Sequence, residues 1–555
     1  MRLPRLSAGF FSLLCIGAGF VSAQEALLSV EENYYQFLSL DGSVDKPYLN
    51  YRTLSDSSWD VSGIEGPWAG ERLGGMKSLT EDMSFRLYGP SLYTSWNSAA
   101  PYGQNDGALW QGKGFNSSFS AGARLEGFGF ELTLKPEVSF SQNLSFDLVA
   151  PNTAYSENDA YAGKAGEYGY YGIASIDAPQ RFGDDSFYTL SWGDSEIRYT
   201  WKTLTAGFGT QLIWLGPARI NPILHSNNAA PYPKADIGIR PTQVELPYLG
   251  WNLGKFEART WVGQLSESDW FDNNPENDRN MISGLTVSWA PSFLEGLTLS
   301  ANRVYLAPWK IESYATIPSL FFFKWNNSGD QDVWDQRASV SFSWLSAKGG
   351  IEVYGEAGIN DYCPSLDGYI RYPFHSMVYT GGLVKKATLP LFGGIPVEIL
   401  AEWSNLEMSQ DFQFQWPSTF YAHHQIKQGY TSSGQWLGAG NGTGGNSQYL
   451  GITGYFPKGN ATIFVHRTNP DNDFIYAKAV DGYDPDDNTG TTHIEDIKAN
   501  LAFGCAGTLN ILDNWILFGS GSVVMSLNPI YKTQSWNIAN KRIGCNIISG
   551  ITYKF

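Results

Sequence analysis

The chain has 555 residues, of which only 16% are charged and 15% aromatic, with 60 Gly and a net charge of −17. A soluble chain usually carries about 25% charged residues, so this balance suits a membrane barrel with wide loops better than a set of soluble domains. No clustered Lys or Arg is available to neutralise phosphates, which excludes nucleic acid as a partner.

In chain order, residues 1–23 read as a secretory signal peptide. Arg2 and Arg5 supply the basic start, Ala8 to Phe20 the apolar core, and Val21-Ser22-Ala23 a small-residue cleavage site. Downstream, no apolar run reaches the roughly 18 residues of a transmembrane helix. Export without a helical anchor leaves a soluble protein or an outer-membrane barrel. Residues 24–80 are expected to form a small N-terminal periplasmic segment with short helices. Ser29 and Glu32 make a capping box before Val30, Tyr34, Phe37 and Leu38 at helical spacing, and Gly42 ends that helix.

From Met83 onward the period changes to two. Phe128, Phe130, Leu132 and Leu134 alternate with Gly129, Glu131, Thr133 and Lys135, and Ile197, Tyr199 and Trp201 with Glu196, Arg198, Thr200 and Lys202. The same pattern sets Ala338, Val340, Phe342 and Trp344 against Arg337 and three Ser, and Ile497 to Cys505 against Asp496, Lys498 and Asn500. Residues 81–555 are therefore expected to be all-β, a large transmembrane antiparallel β-barrel of about 16–18 strands, with 18 the best count. Glu131, Lys135, Glu196, Arg198, Lys202, Glu257, Arg259, Glu352, Glu356, Glu398 and Glu402 would point into the lumen. Such mixed signs favour a braced, largely filled interior over an open channel, which would show one dominant sign at its constriction.

Long extracellular loops follow from the Tyr-rich stretch 152–185 and from 412–445 and 469–495. Aromatic faces beside Asp, Asn and Gln suit sugar rings, and they equally suit loops packed on one another. Outside the signal, Cys363, Cys505 and Cys545 are too few and odd in number for a disulfide framework; Cys505 and Cys545 fall on apolar strand faces. The last strand, Lys541 to Phe555, places Ile543, Cys545, Ile547, Ile551, Tyr553 and Phe555 on one face. A terminal Phe on such a strand resembles the closing strand of bacterial outer-membrane barrels.

Three blocks resemble the Wzi family of outer-membrane capsule-assembly proteins: Asn105 to Asn116 (NDGALWQGKGFN), Trp214 to Pro233 (WLGPARINPILHSNNAAPYP) and Tyr421 to Gly451. The second block, with its Trp-x-Gly-Pro and Ser-Asn-Asn-Ala, is the most specific. The resemblance implies an eighteen-stranded barrel with periplasmic helices and long outer loops, which attaches or organises capsular polysaccharide as a lectin and not as an enzyme. On the matching positions it marks Trp110, Gln111, Trp214, Gly216, Pro217, Ser226, Asn227, Asn228, Gly429, Tyr430 and Gly438 as glycan-binding or loop-shaping residues. Gly216-Pro217 and Asn227-Asn228 also read as turn chemistry, since Gly and Asn accept positive φ and Pro fixes its own.

Catalytic patterns are thin. His225-Ser226-Asn227 superficially suits a membrane hydrolase, but neighbouring strand residues point to opposite faces, so the pair could not exchange a proton on a strand. Asp484-x-Asp486-x-Asn488 with Glu495 approximates a calcium loop, yet Thr489 stands where Gly is required. The resulting expectation is a non-catalytic monomer in the bacterial outer membrane, in contact with lipid. It would bind, attach or organise capsular or other surface polysaccharide, with no cofactor and no metal. A passive porin is the alternative, and an outer-membrane hydrolase a remote one.

Overall fold

The computed structural model describes residues 22–24, 29–149, 168–170, 176–322, 334–360, 370, 376–390, 393–407, 419–474, 497–531 and 540–555, apart from single positions 72, 247, 424 and 513. Among them are eighteen long antiparallel strands that close into one barrel. In order these are β1 (Met83–Asn97), β2 (Gly114–Gly127), β3 (Phe130–Leu134, resumed at Glu137–Ser141), β4 (Phe187–Ser191, resumed at Glu196–Trp201), β5 (Leu204–Gly209) and β6 (Lys234–Leu246). There follow β7 (Trp251–Ser266), β8 (Arg279–Ala290), β9 (Leu297–Pro308), β10 (Asp335–Ser346), β11 (Ile351–Asn360) and β12 (Met377–Leu389). The circuit finishes with β13 (Ile395–Asn405), β14 (Asn446–Phe456), β15 (Gly459–Asn469), β16 (Ala499–Ile511), β17 (Trp515–Leu527) and β18 (Lys541–Tyr553). The seam pairs β18 with β1, Asn546 opposite Asn97 and Thr552 opposite Ser91, so no sheet edge is left open.

The alternation in the sequence becomes the two faces of this wall. On β10, Val340, Phe342 and Trp344 point outward at 61, 42 and 41% exposure, while Arg337, Ser339 and Ser341 are buried inward. Outward Leu92, Trp96, Phe119, Ile463, Phe503, Val523 and Ile547 continue the apolar belt around the barrel. So continuous an apolar surface is stable only against lipid. Cys505 and Cys545 belong to it. One end carries short turns, and the other carries the long connections that face outside the cell.

One expectation is corrected here. Lys202 does not reach the lumen: it sits exposed in the tight turn between β4 and β5, at φ 57°. The described part of residues 24–80 packs against the inner face of the barrel wall. Its helix α1 (Val30–Ser39) is capped as expected, with Ser29 Oγ accepting from the Glu32 N–H at 3.1 Å. Around it Tyr34 stacks on Trp68 at 4.3 Å and Phe37 on Tyr455 of β14 at 4.1 Å. The aromatic side of α1 needs an apolar partner, and the inward Tyr354, Val384 and Tyr455 provide it.

Charge locks the segment in place. Arg124, Glu131, Arg240, Asp56, Arg259, Asp236, Arg198 and Glu196 form a closed ring of alternating sign, with successive contacts of 2.5, 2.9, 2.8, 3.1, 2.7, 2.6, 3.0 and 4.0 Å. Seven members come from the wall, and Asp56 comes from the N-terminal segment. Burial opposes ionisation of Asp56, but Arg259 and Arg240 outweigh it and hold the carboxyl well below its ordinary range. Beside the ring, the Glu257 carboxylate accepts from the backbone N–H groups of Leu49, Asn50 and Tyr51 at 2.6, 3.2 and 2.9 Å. A carboxylate answering three main-chain donors satisfies groups that would otherwise be stranded away from water.

Candidate functional site

The outer half of the lumen is filled by two connections that fold back into it, residues 210–233 and 419–445. Glu402 of β13 anchors the first, accepting from the N–H groups of Arg219, Ile220 and Asn221 at 2.7, 3.1 and 2.8 Å and from Tyr354 Oη at 2.7 Å. Apolar residues of both connections, among them Ile223, Leu224, Tyr421, Tyr430 and Leu437, merge with Trp261, Ile282 and Val304 of the wall into one core.

The three sequence blocks meet here although they lie hundreds of residues apart. Ser226 N–H donates to Leu437 O at 2.8 Å and its Oγ to Gly438 O at 2.6 Å. Asn228 Oδ1 accepts from the Asn105 N–H at 3.0 Å, and its Nδ2 donates to Trp436 O at 3.2 Å. Gly107 N–H donates to Asn227 O at 2.8 Å, while the hydroxyls of Tyr421 and Tyr430 donate to Ile223 O and Leu224 O at 2.6 and 2.8 Å. Gly438 lies so close to the other connection that a Cβ would stand 2.1 Å from Ile223 O. Gly216 has φ 103° and Gly429 φ 67°, conformations open to glycine.

The eleven residues singled out from sequence thus separate by position. Trp214 is fully buried, donating its Nε1 to Ala218 O at 2.9 Å beneath the Arg52 guanidinium, and Tyr430 is fully buried beneath that of Arg337. Pro217 follows Gly216 in the same turn; together with Ser226, Asn227, Gly429 and Gly438 these residues belong to the interlocked framework. Trp110, Gln111 and Asn228 instead line a pocket of about 280 Å³ at the outer end. Trp110 packs on Phe182 at 4.7 Å, and its buried Nε1 has no hydrogen-bond partner among the described residues. Gln111 is pinned between Ser95 Oγ at 2.5 Å and Tyr93 Oη at 2.8 Å.

Several pocket residues were not singled out from sequence: Tyr102, Tyr170, Trp436, Lys498 and Arg542. Lys498 and Arg542 do fall on the polar faces of their alternating segments, and that was the available signal. Trp436 is held edge-on by Tyr170 at 5.4 Å. Burial pushes the Asp106 carboxyl, another lining group, up to about 7. The pocket offers aromatic faces with amide, carboxyl and cationic groups around them, which can stack on a ring and bond to its substituents.

The His225 ring does not bond the Ser226 hydroxyl. His225 Nε2 meets Tyr232 Oη at 2.7 Å and Nδ1 faces Ile213 O at 3.1 Å and the Ser226 main-chain O at 3.2 Å, while Ser226 Oγ is committed to Gly438 O. Burial, reinforced by Lys234, holds the imidazole down at about 3, so it is neutral at ordinary pH. The calcium-like stretch 484–495 lies outside the described residues, as do the signal core, Cys363 and most of the Tyr-rich loop. Elsewhere Glu267, Asp272 and Asp278 each bring a carboxylate oxygen within 4.8 Å of the others. Burial, with Asp272, Asp177 and Asp278 adding to it, pushes Glu267 up to about 10, so a proton relieves part of the repulsion.

No curated protein sequence matches the chain. Among solved structures it is similar to Wzi, an outer-membrane protein involved in group 1 capsule assembly in Escherichia coli and described as a carbohydrate-binding β-barrel. The two share 14% identity over 85% of each chain, with a TM-score of 0.53, which establishes the common fold. OprB of Pseudomonas putida matches at 11% identity over 85% of this chain and 94% of that one, TM-score 0.35. A BenF-like porin from Pseudomonas fluorescens matches at 10% over 85% and 99%, TM-score 0.36. The profile of the capsule assembly protein Wzi matches residues 88–510, more than half of the chain and inclusive of all three converging blocks. This chain belongs to the Wzi capsule-assembly family.

Proposed function

We propose that the protein binds surface polysaccharide at the outer mouth of its barrel and so helps to hold or organise capsule there, without catalysis. The observation that carries the reading is the outward pocket where Trp110 and Trp436 stand beside Gln111, Asn228, Tyr102 and Tyr170, at the meeting point of the three family blocks. The non-catalytic part rests on His225 and Ser226, whose polar atoms are taken up by the framework. The two connections folded into the outer half of the lumen favour this role over solute passage.

The test is binding of surface polysaccharide by the purified barrel in detergent, with Trp110→Ala/Trp436→Ala as the variant. Each aromatic pair is worth about 0.5–1.5 kcal/mol beyond burial, so the double change should weaken binding about tenfold or more. Absence of any binding, together with normal surface glycan in a deletion strain, would remove the reading. Sustained single-channel conductance by the intact protein would favour passive transport instead.

A further inference from the structure

The connection after β9 lies outside the wall, not inside it. Along β8 and β9 the even-numbered Ile282, Val304 and Leu306 join the lumenal core, so the odd-numbered positions face outward. Toward the inner end that outward face is bare, with Val287 and Leu299 exposed. Toward the outer end it is covered: Met281, Ser283, Tyr305 and Ala307 point outward and are nevertheless buried. The cover is residues 309–322, which form two helical turns, Ile311–Ala315 and Thr316–Ser319, folded back down the exterior. Ser283 Oγ donates to Thr316 Oγ1 at 2.9 Å. The outward Arg303 donates from Nη1 to Ser319 O and Phe322 O at 3.1 and 2.7 Å.

Depth gives this cover its meaning. The twelve residues of β9, at about 3.3 Å each and a tilt of about 40°, span about 30 Å, slightly more than an apolar band of about 25 Å. Arg303 stands five residues before Pro308, hence about 13 Å below the outer end of the strand, at the level of lipid chains. A guanidinium there is costly unless the protein itself answers its donors, as the two carbonyls and Gln336 Oε1 at 2.9 Å do. The side that the cover turns to its surroundings is apolar. Ile311 and Phe322 are 85 and 69% exposed, with Tyr314 and Phe321 also exposed, so they extend the belt of Val287, Leu299 and Val340. Above them, at the strand ends, Arg279 and Lys310 are exposed, and among the described residues neither side chain makes a hydrogen bond or an ion pair. The main chain keeps them close, since the Trp309 N–H donates to Arg279 O at 3.2 Å.

We propose that residues 309–322 are embedded in the outer leaflet as a collar on the exterior of the barrel and seat a phosphorylated lipid there. Its headgroup phosphate lies at Arg279 and Lys310, and its acyl chains lie along Ile311, Phe321 and Phe322. Cations at the rim over apolar side chains at depth repeat the order of such a molecule, and phosphate takes charge-assisted hydrogen bonds from both cations. A second copy meeting this face about a two-fold axis would bring the same cations to one interface, whereas an anionic headgroup complements them. The site is on the opposite face of the wall from the sugar pocket and stands independently of it.

A benzophenone photoprobe at position 322, irradiated in the outer membrane of producing cells, should add the mass of a phosphorylated lipid to the barrel. The same probe at position 340, on bare wall, gives the reference for ordinary lipid contact. A cross-link to a second barrel or to another protein would overturn the proposal, as would the lack of a lipid adduct at 322 beside a normal one at 340. In native mass spectrometry the purified barrel should bind diphosphoryl lipid A at least about tenfold more tightly than the dephosphorylated form, and less so as salt rises. Arg279→Gln/Lys310→Gln should remove that preference and leave binding of the dephosphorylated form unchanged, while Lys310→Arg should keep it. Retained heat-modifiable gel mobility would certify the fold of each variant. Equal binding of the two forms, or a preference that survives the double change, would overturn the phosphate site.

Discussion

Asp56→Asn removes the one member of the charge ring that the N-terminal segment supplies. Asp56 receives Arg240 Nε at 2.8 Å, Arg259 Nη2 at 3.2 and 3.1 Å on its two oxygens, and Thr53 Oγ1 at 3.0 Å. Asn keeps an oxygen for one of these donors but turns an NH₂ toward the other guanidinium. Two charge-assisted contacts at about 1.5–3 kcal/mol each are therefore weakened or reversed. Arg259 is buried and keeps only Asp236, whereas the Arg240 side chain is 24% exposed and water recovers part of its loss. Discounting the Arg240 half leaves about 3–4 kcal/mol, within the range for breaking a buried pair from one side. At 1.4 kcal/mol per tenfold, the segment should open roughly two to three orders of magnitude more often. Amide hydrogen exchange across residues 50–57, read by mass spectrometry in detergent, measures that opening directly. Exchange within about twofold of the parent would mean that the ring does not hold the segment, and the reasoning would fail.

Gly438→Ala should destabilise the outer framework by about 1–3 kcal/mol, because the new Cβ meets Ile223 O and Tyr421 Oη at 2.1 and 2.3 Å; a thermal melt reads the loss. Ile463→Arg, at a mid-strand position 64% exposed on the lipid face, should cost about 2–4 kcal/mol in reversible folding into vesicles, and the inward Thr462→Arg much less. Equal costs would place the belt wrongly. For pH, His225 is held neutral with its folded-state value lowered to about 3 from 6.5. Its contribution is therefore complete above about pH 6.5 and declines as pH falls toward 3, by up to about 1.4 kcal/mol per unit. Asp177, pushed up to about 7 by burial, works in the opposite sense and loses stability as pH rises from about 4 to 7. The informative quantity is thus the difference between parent and His225→Gln, whose melting curves should converge on acidification; parallel curves would refute the assignment.

The wall was legible because lipid on one side and packed polar contacts on the other impose period two on every strand, and Val340, Phe342 and Trp344 show it without help. Lys202 broke the pattern because the strand ends at Trp201, and a side chain in a left-handed turn no longer follows the pleat. The position of α1 was not legible: an aromatic helix face reads alike whether it docks under a barrel or inside one. Nor did anything local announce the ring, since Asp56 lies 184 and 203 residues from its partners. In the site, Trp110 and Asn228 could be named from the blocks, but one buried Trp and one pocket Trp have the same signature until packing is known. That is why Trp214 stood among the candidates while Trp436 did not.

The ring also constrains how the molecule is made. Asp56 precedes every barrel strand, and its partners Arg240 and Arg259 sit on β6 and β7, about a third of the way around the circuit from the seam. Were the seam zipped first, the start of the chain would have to be threaded into a sealed cylinder already holding unmatched guanidinium groups. Insertion while the wall is still an open curl avoids both obstacles, making the segment ahead of the strands a mandrel around which the later hairpins wrap.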